Sequence, residues 1–206
     1  VMSGILSLSL RRGWCRQNPL LRVDAPSFRE QVIAVLNPEE IKCLRNAAES
    51  PEFRDCAPAV WIMMYAGIRP GEVARLRWCD VDMEERVISV RPLASKTGGA
   101  RHVTVQPVLE RLLTGYGIPE GNRPLCPPNW PLRWRRFRKE AGWGSGGRFR
   151  AWRPDVLRHT YASYHAKWFR DFPLLQMEMG HRSSTLLRAR YLNMEGVSRE
   201  GAALFW

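Results

Sequence analysis

The chain has 206 residues, enough for one main domain, and carries 32 lysines and arginines against 20 acidic residues. The formal net charge of +12 and the pI near 10.3 favour a polyanionic partner. Five scattered cysteines without a Cys-x-x-Cys pair argue against a disulfide framework or a zinc site, and no apolar run is long enough to cross a bilayer.

The first segment predicts a helix followed by a linker. Apolar residues crowd positions 5–10, and the Asn18-Pro19 pair stops the run. The mixed charge that follows is typical of a linker. We therefore expect a helix plus linker over residues 1–34 and the main domain over residues 35–206.

The main domain should begin with two helices. Asn37 supplies a capping side chain and Pro38 the first helical position, so the first helix should run to about Ala48. The second, from about residue 55 to residue 65, is apolar enough to be the buried centre of the domain. Gly67 should end it.

Arg69 stands at the entrance of the next helix. Pro70 pre-sets the helix start, so Arg69 should lie beside free backbone N–H groups, where an anion binds readily. An arginine there can hold a phosphate oxygen, although arginines at helix entrances more often cap the helix or face water. Glu72, one turn on, is placed to orient Arg69 by a salt bridge.

A β-hairpin should follow, with Lys96 at its tip. Residues 87–90 and 102–105 have the composition of strands, and the Gly98-Gly99 pair gives the tip mobility. A lysine at a loop tip is most often simply solvated. Taken alone, Lys96 therefore indicates no function.

Two further helices are predicted over residues 106–114 and 132–141. The second has apolar residues at core spacing and basic residues on its other faces. Such a charge run is more often a solvated face, but no acid interrupts this one before Glu140, and we expect it to lie on a DNA backbone. Its cations are Arg133, Arg135, Arg136, Arg138 and Lys139.

A helix opened by Pro154 should carry Arg158 near its start. Its buried stripe should include Tyr161, Tyr164 and Trp168, which follow one another at helical spacing. The two tyrosines are therefore expected in the core, where they would be poor nucleophiles. Arg158 lies one position off the stripe and should be partly buried.

The last elements place a histidine and a tyrosine in order after Arg158. A short helix over residues 174–179 should stop at a glycine, with His181 in the turn beyond it. Tyr191 should lie on a helix over residues 185–192. The apolar piece 197–206 should either fold back on its own domain or dock on a neighbouring subunit.

Three stretches resemble motifs of the tyrosine recombinases, the phage integrase family. GIRPGEVARLRWCDVD is similar to the first arginine box, SKTGGARHV to the hairpin that carries a lysine, and DVLRHTYASYH with the later Gly-His and Arg-Tyr pairs to the second box. The resemblance covers roughly residues 35–206. It implies an α+β, mainly helical catalytic-domain fold with a small β-sheet.

The resemblance also implies an attack on double-stranded DNA that needs neither a metal nor a cofactor. Arg69 and Arg158 would clamp the scissile phosphate, and His181 would add a hydrogen bond. Lys96 would protonate the leaving 5′ oxygen, and Tyr191 would form a 3′-phosphotyrosyl link. That link stores the bond energy, so strands can be rejoined without ATP.

Asp155 departs from the family pattern, which most often has a histidine three residues before the second arginine. A carboxylate there could accept the proton of the attacking tyrosine, but it would also repel the phosphate and could pair with Arg158. Two alternatives to a recombinase therefore stay open. One is supercoil relaxation of the type IB topoisomerase kind, and the other is a DNA-binding protein with impaired catalysis.

The resemblance extends to both ends of the chain. Residues 1–34 would be the last helix of an N-terminal DNA-clamping domain and its linker. The tail 197–206 would support self-association on DNA in a tetrameric synapse. We expect a cytoplasmic, nucleoid-associated protein without membrane contact.

Overall fold

The computed structural model describes residues 2–23, 34–92, 99–119, 121–181, 187, 193–194 and 196–206. The chain divides into two units, Val1–Val32 and Ile33–Trp206. In the first unit, helix α1 (Met2–Arg11) buries none of its side chains. Asn18 then caps a 3₁₀ turn (Pro19–Arg22) by accepting from the N–H of Leu20 at 3.0 Å.

In the second unit, a capping box starts helix α2 (Pro38–Glu49). The side chain of Asn37 accepts from the N–H of Glu40 at 2.9 Å, and the carboxylate of Glu40 accepts from the N–H of Asn37 at 2.8 Å. All nine residues of helix α3 (Ala57–Tyr65) are buried. A helix with apolar side chains on every face is buried by neighbouring elements on every face. Helix α3 therefore forms the centre of the unit, as the sequence predicts.

The other elements follow α3 along the chain. Helix α4 (Pro70–Val73) is a single turn, and it leads into a three-stranded antiparallel sheet. The strands are β1 (Val81–Asp82), β2 (Val87–Val90) and β3 (Arg101–Thr104), in that order. The helices that follow are α5 (Pro107–Tyr116), α6 (Trp130–Glu140), α7 (Val156–Trp168), α8 (Phe172–Glu178) and α9 (Arg199–Phe205). The mainly helical fold with a small sheet is the one that the sequence predicts.

The predicted hairpin is present, and its tip lies outside the described residues. Strands β2 and β3 pair from Val87 with Thr104 to Val90 with Arg101. Lys96 belongs to the stretch 93–98, which is not described.

Helix α7 differs from the prediction at both ends. It begins at Val156, two residues after Pro154, and Trp168 is 42% exposed and not buried. The reason lies in the tail of the chain. Trp206 packs against His165 and Phe169, with ring centroids 6.1 and 5.0 Å apart, and so covers this end of α7 in place of Trp168.

Helix α9 folds back on its own domain. The ring of Phe205 lies 4.5 Å from that of Tyr164 and 4.8 Å from that of Tyr65, and the indole N–H of Trp206 donates to the carbonyl of Tyr164 at 3.4 Å. Apart from Leu187, the predicted helix 185–192, which would carry Tyr191, lies outside the described residues. Within the described ranges, every helix is too short or too polar to span a membrane.

Candidate active site

Arg158 lies in the first turn of α7 with only 1% of its surface exposed. Its guanidinium donates to the carbonyl oxygen of Gly67 at 2.6 Å and to that of Met179. A buried guanidinium needs acceptors for its N–H groups, and these two come from the turn before α4 and the end of α8. Both acceptors are neutral, so they fix the guanidinium without cancelling its charge.

Gly67 makes this contact possible. Its φ of +59° is in the left-handed region, and a Cβ on it would lie 2.3 Å from Cδ1 of Tyr161. The Tyr161 ring therefore packs directly on the backbone of Gly67. Only glycine allows both this packing and the turn that points its carbonyl at Arg158.

His181 lies next to Arg158 in the turn after α8, with its Nε2 3.3 Å from a terminal nitrogen of that arginine. Arginine can only donate, so Nε2 is the acceptor and a neutral ring carries its proton on Nδ1. Burial, followed by the charges of Arg158, Arg69 and Arg101, lowers the pKa of His181 to about 4. The ring is therefore neutral at pH 7, and its Nδ1 is buried.

Arg69 is held by Glu72, as the sequence predicts. A terminal nitrogen of Arg69 lies 3.1 Å from Oε1 of Glu72, and the Arg69 backbone N–H donates to Oε2 at 3.1 Å. The expectation of open N–H groups at this helix start needs correction. Pro70 has no N–H, and the N–H of Glu72 donates to the carbonyl of Arg69 at 2.9 Å, so fewer N–H groups are open here than the sequence suggests.

Arg101 is part of the site, although the sequence did not single it out. Its terminal nitrogens contact both carboxylate oxygens of Glu72, at 3.1 and 2.6 Å, and its Nε donates to the carbonyl of Glu178 at 2.7 Å. Burial alone would raise the pKa of Glu72, but Arg101 and then Arg69 outweigh it and lower that pKa. Glu72 is thus an ionised, buried carboxylate shared by two arginines.

A sequence signal for Arg101 existed in the strand pattern. Arg101 and Val103 both point inward from β3, whereas His102 is exposed. A charged residue on the apolar face of a strand needs a buried counter-charge, because an unpaired one is costly. The alternation therefore indicated a buried ion pair, but not its partner.

Asp155 lies immediately before α7, three residues ahead of Arg158, in the left-handed region with φ at 60°. Its side chain does not cap the helix, while its carbonyl accepts from the N–H of His159 at 2.9 Å. Burial lowers the pKa of His159; Asp155 opposes this shift and Arg158 adds to it. Lys96 and Tyr191 are not among the described residues.

The two tyrosines of α7 are buried, as predicted. The hydroxyl of Tyr161 donates to the carboxylate of Glu178 at 2.7 Å, and that of Tyr164 donates to the carbonyl of Leu36 at 3.0 Å. Burial, together with Glu178, raises the pKa of Tyr161 well above its ordinary value, and burial raises that of Tyr164 to about 12. Neither phenol is suited to attack a phosphate.

Of the five cations of helix α6, two contact other parts of the domain and three are exposed to solvent. Arg133 donates to the carbonyl of Glu52 at 2.5 Å and contacts the carboxylate of Asp55. The guanidinium of Arg138 lies over the rings of Trp134 and Trp152, at 5.4 and 5.5 Å. The exposed cations of the helix are Arg135, Arg136 and Lys139.

We expect sulfate, a stand-in for a DNA phosphate, to raise the pKa of His181. The neighbouring guanidiniums lower this pKa, and a bound anion offsets their charge. In a ring-nitrogen NMR titration, the midpoint should be about 4 without sulfate and rise by about one unit with it. In the sulfate-bound protein, His181 takes up its proton at a higher pH than in the free protein. Sulfate should therefore bind more tightly as the pH falls through the range between the two midpoints. An unchanged midpoint would contradict an anion site here, and His181→Asn identifies the resonance.

Comparison with known proteins places this chain in a family. Residues 34–196 match the sequence profile of the phage integrase family. No curated protein has a significantly similar sequence.

Solved structures with a similar fold include one recombinase and two integrases. The XerA recombinase has a TM-score of 0.60 and 26% identity, over 83% of this chain and 63% of that one. A lambda integrase dimer bound to a COC′ core site has a TM-score of 0.67 and 20% identity, over 96% and 72%. The Tn1549 transposon integrase in complex with a circular intermediate DNA has a TM-score of 0.65 and 17% identity, over 98% and 74%.

The chain spans less than two thirds of the XerA recombinase structure, but the family profile covers most of the chain itself. The matched stretch includes the two arginines, the histidine and the buried Glu72 described above. The chain belongs to the phage integrase family.

Proposed function

We propose that this protein cuts and rejoins double-stranded DNA at specific sites through a 3′-phosphotyrosyl intermediate. The observation that carries the proposal is the convergence of Arg69, Arg158 and His181. Arg158 touches His181, and the charge of Arg69 reaches the same ring. Two guanidiniums supply donors that a phosphate needs as negative charge develops on its oxygens, and the imidazole would add its N–H once the ring turns toward the phosphate.

In the proposed reaction, one phosphoester replaces another. The phenol oxygen of Tyr191 attacks the scissile phosphorus, and the bond from phosphorus to the 5′ oxygen breaks. Lys96 gives a proton to the departing 5′ oxygen, and Asp155 is the proposed acceptor of the phenol proton. A 5′ hydroxyl of another strand reverses these steps, so no nucleotide cofactor is consumed.

The partners in this proposal are DNA and further copies of the chain. Self-association in a tetrameric synapse through the tail 197–206 has a structural requirement. Phe205 is 2% exposed against its own domain, whereas Leu204 is 75% exposed. A neighbour would therefore meet the Leu204 side of α9, or α9 would have to detach first. In the same proposal, residues 1–34 are the end of a DNA-clamping domain and its linker. The protein would act at the nucleoid.

The covalent intermediate is the direct test of the proposed function. Nicked duplexes with a randomised core, which trap the intermediate when the short fragment leaves, should give a protein–DNA adduct on a denaturing gel. Tyr191→Phe should give none, because the nucleophilic oxygen is gone. Tyr116→Phe removes a phenol that stacks on Trp78 away from the site, and it should give as much adduct as the wild type.

The outcomes separate the alternatives. No adduct with the wild type would support a DNA-binding protein without catalysis, and an adduct that persists in Tyr191→Phe would assign the nucleophile elsewhere. Relaxation of supercoiled plasmid without strand exchange would indicate a topoisomerase.

The exposed side of α6 should supply about three phosphate contacts. A triple variant in which Arg135, Arg136 and Lys139 all become glutamine should show a weaker dependence of DNA affinity on salt. The plot of log affinity against log salt concentration should be less steep by about two to three. The affinity should fall for all sequences alike, because phosphate contacts carry no base information. Fluorescence anisotropy at several salt concentrations measures both quantities.

A matched control removes three exposed cations from other parts of the unit. These are Lys42, Arg111 and Arg123, which also become glutamine. This variant should change the salt slope by less than about one. Equal slopes in the two triple variants would show that net charge, and not the α6 surface, governs binding.

A further inference from the structure

Arg101 joins three elements of the second unit. It starts β3 and is only 8% exposed. Its Nε donates to the carbonyl of Glu178, the last residue of α8, and its terminal nitrogens grip both carboxylate oxygens of Glu72 in α4. One buried guanidinium thus connects the sheet, α4 and the end of α8.

Each of these elements leads to a residue of the proposed site. Strand β3 is one side of the hairpin whose tip includes Lys96. Helix α4 follows Arg69, and Glu72 holds that arginine by its side chain and its backbone N–H. Helix α8 ends just before His181.

A second set of contacts strengthens the joint between β3 and α8. The carboxylate of Glu178 accepts from the backbone N–H of Thr104 at 2.9 Å and from the hydroxyl of Tyr161 at 2.7 Å. The packing is close, since a Cβ on Gly180 would lie 3.2 Å from Cδ of Arg101. The joint at the base of the hairpin is therefore closely packed and hydrogen-bonded.

We infer that Arg101 is a positioning residue that aligns the lysine hairpin with the phosphate-binding arginines. This inference rests on the proposed function, in which Lys96 protonates the leaving oxygen. Strands of four residues hold a hairpin weakly on their own. A misplacement of about 1 Å can slow a reaction about a hundredfold, so the alignment of β3 with α4 and α8 matters for the proposed reaction.

The first arm of the test asks which step fails without Arg101. Single-turnover cleavage is measured on two suicide duplexes that differ only in the leaving atom, 5′ oxygen or 5′ sulfur, because a thiolate departs without a proton. Arg101→Met and Arg101→Lys should be about a hundredfold slower on the oxygen duplex and at most about tenfold slower on the sulfur duplex. Lys96→Ala should show the same pattern.

The matched control is Arg91→Met. Arg91 follows the last residue of β2 and forms a two-point pair with Asp80, at 2.8 and 2.9 Å. Its side chain is 53% exposed and, within the part of the chain that the structure describes, does not bond to Glu72 or Glu178. It should cleave both duplexes within about twofold of the wild-type rate.

The second arm needs no DNA. In amide hydrogen exchange, both Arg101 variants should exchange about tenfold faster or more in residues 101–104 and also in residues 177–181, while α3 stays protected. Arg101→Lys keeps the charge and carries the test if Arg101→Met does not fold.

Each outcome decides a separate question. Equal slowing on both duplexes, or faster exchange in β3 alone, would overturn the inference. A wild-type protein that forms no adduct on either duplex would refute the proposed function. In that case, faster amide exchange in both segments would still show that Arg101 connects β3 with the end of α8. Faster exchange in one segment alone would reject that connection.

Discussion

Replacing Arg158 with lysine should slow single-turnover DNA cleavage about a thousandfold or more. Lysine keeps a positive charge but has no planar fork, so it cannot contact Gly67 and Met179 and still present donors to a phosphate. Removing one donor that stabilises charge in a transition state commonly costs about 10²–10³ in rate, and the loss of the planar fork adds to this cost. Quenched-flow cleavage of the suicide duplex gives the rate.

The control is Arg111→Lys, the same exchange at an exposed position of α5, which should keep the wild-type rate. DNA affinity should change much less than the rate in Arg158→Lys, because one phosphate contact is a small part of the whole surface. A cleavage rate within tenfold of the wild type would remove Arg158 from the phosphate clamp.

Gly67→Ala should destabilise the second unit by about 3–5 kcal/mol. The new methyl group would lie 2.3 Å from the Tyr161 ring, and the φ of +59° adds about 1–2 kcal/mol of strain for any residue with a Cβ. For a unit of this size, the midpoint of thermal unfolding should fall by roughly 6–20 °C. Calorimetry measures the change.

Gly71→Ala is the matched control, because a Cβ at Gly71 would meet nothing within 4 Å. Its effect should stay within about 1 kcal/mol. Equal unfolding temperatures for the two variants would mean that the Tyr161 ring moves aside freely. Folded Gly67→Ala protein should also cleave DNA slowly, since the displaced carbonyl no longer holds Arg158.

The fold was predictable wherever local chemistry decides it. The Asn37-Pro38 start of α2, the all-apolar α3 and the β2–β3 hairpin follow from caps, periodicity and turn residues that lie within a few positions of each other. Trp168 was misplaced for the opposite reason. Its expected position is covered by Trp206 from the end of the chain, and no local pattern reports such a contact.

The motif residues of the site could be predicted from the sequence, whereas the residues that hold them in position could not. Arg69 and Arg158 stand in recognisable stretches, but Arg101 contacts Glu72 from 29 residues away and Glu178 from 77 residues away. Helix α6 shows the same limit. Periodicity located its cations, but the contacts of Arg133 with Asp55 and of Arg138 with Trp152 depend on distant segments.

The way Arg158 is held has a consequence for how such a site tolerates mutation. Its two anchors are main-chain carbonyls of Gly67 and Met179, and every amino acid has that group. Exchange of Met179 for another apolar residue that keeps the turn would leave the anchor unchanged. At Met179 the guanidinium is thus held by the path of the backbone, so this side chain can change while the charge stays in place, whereas Gly67 cannot change because its own backbone path requires glycine.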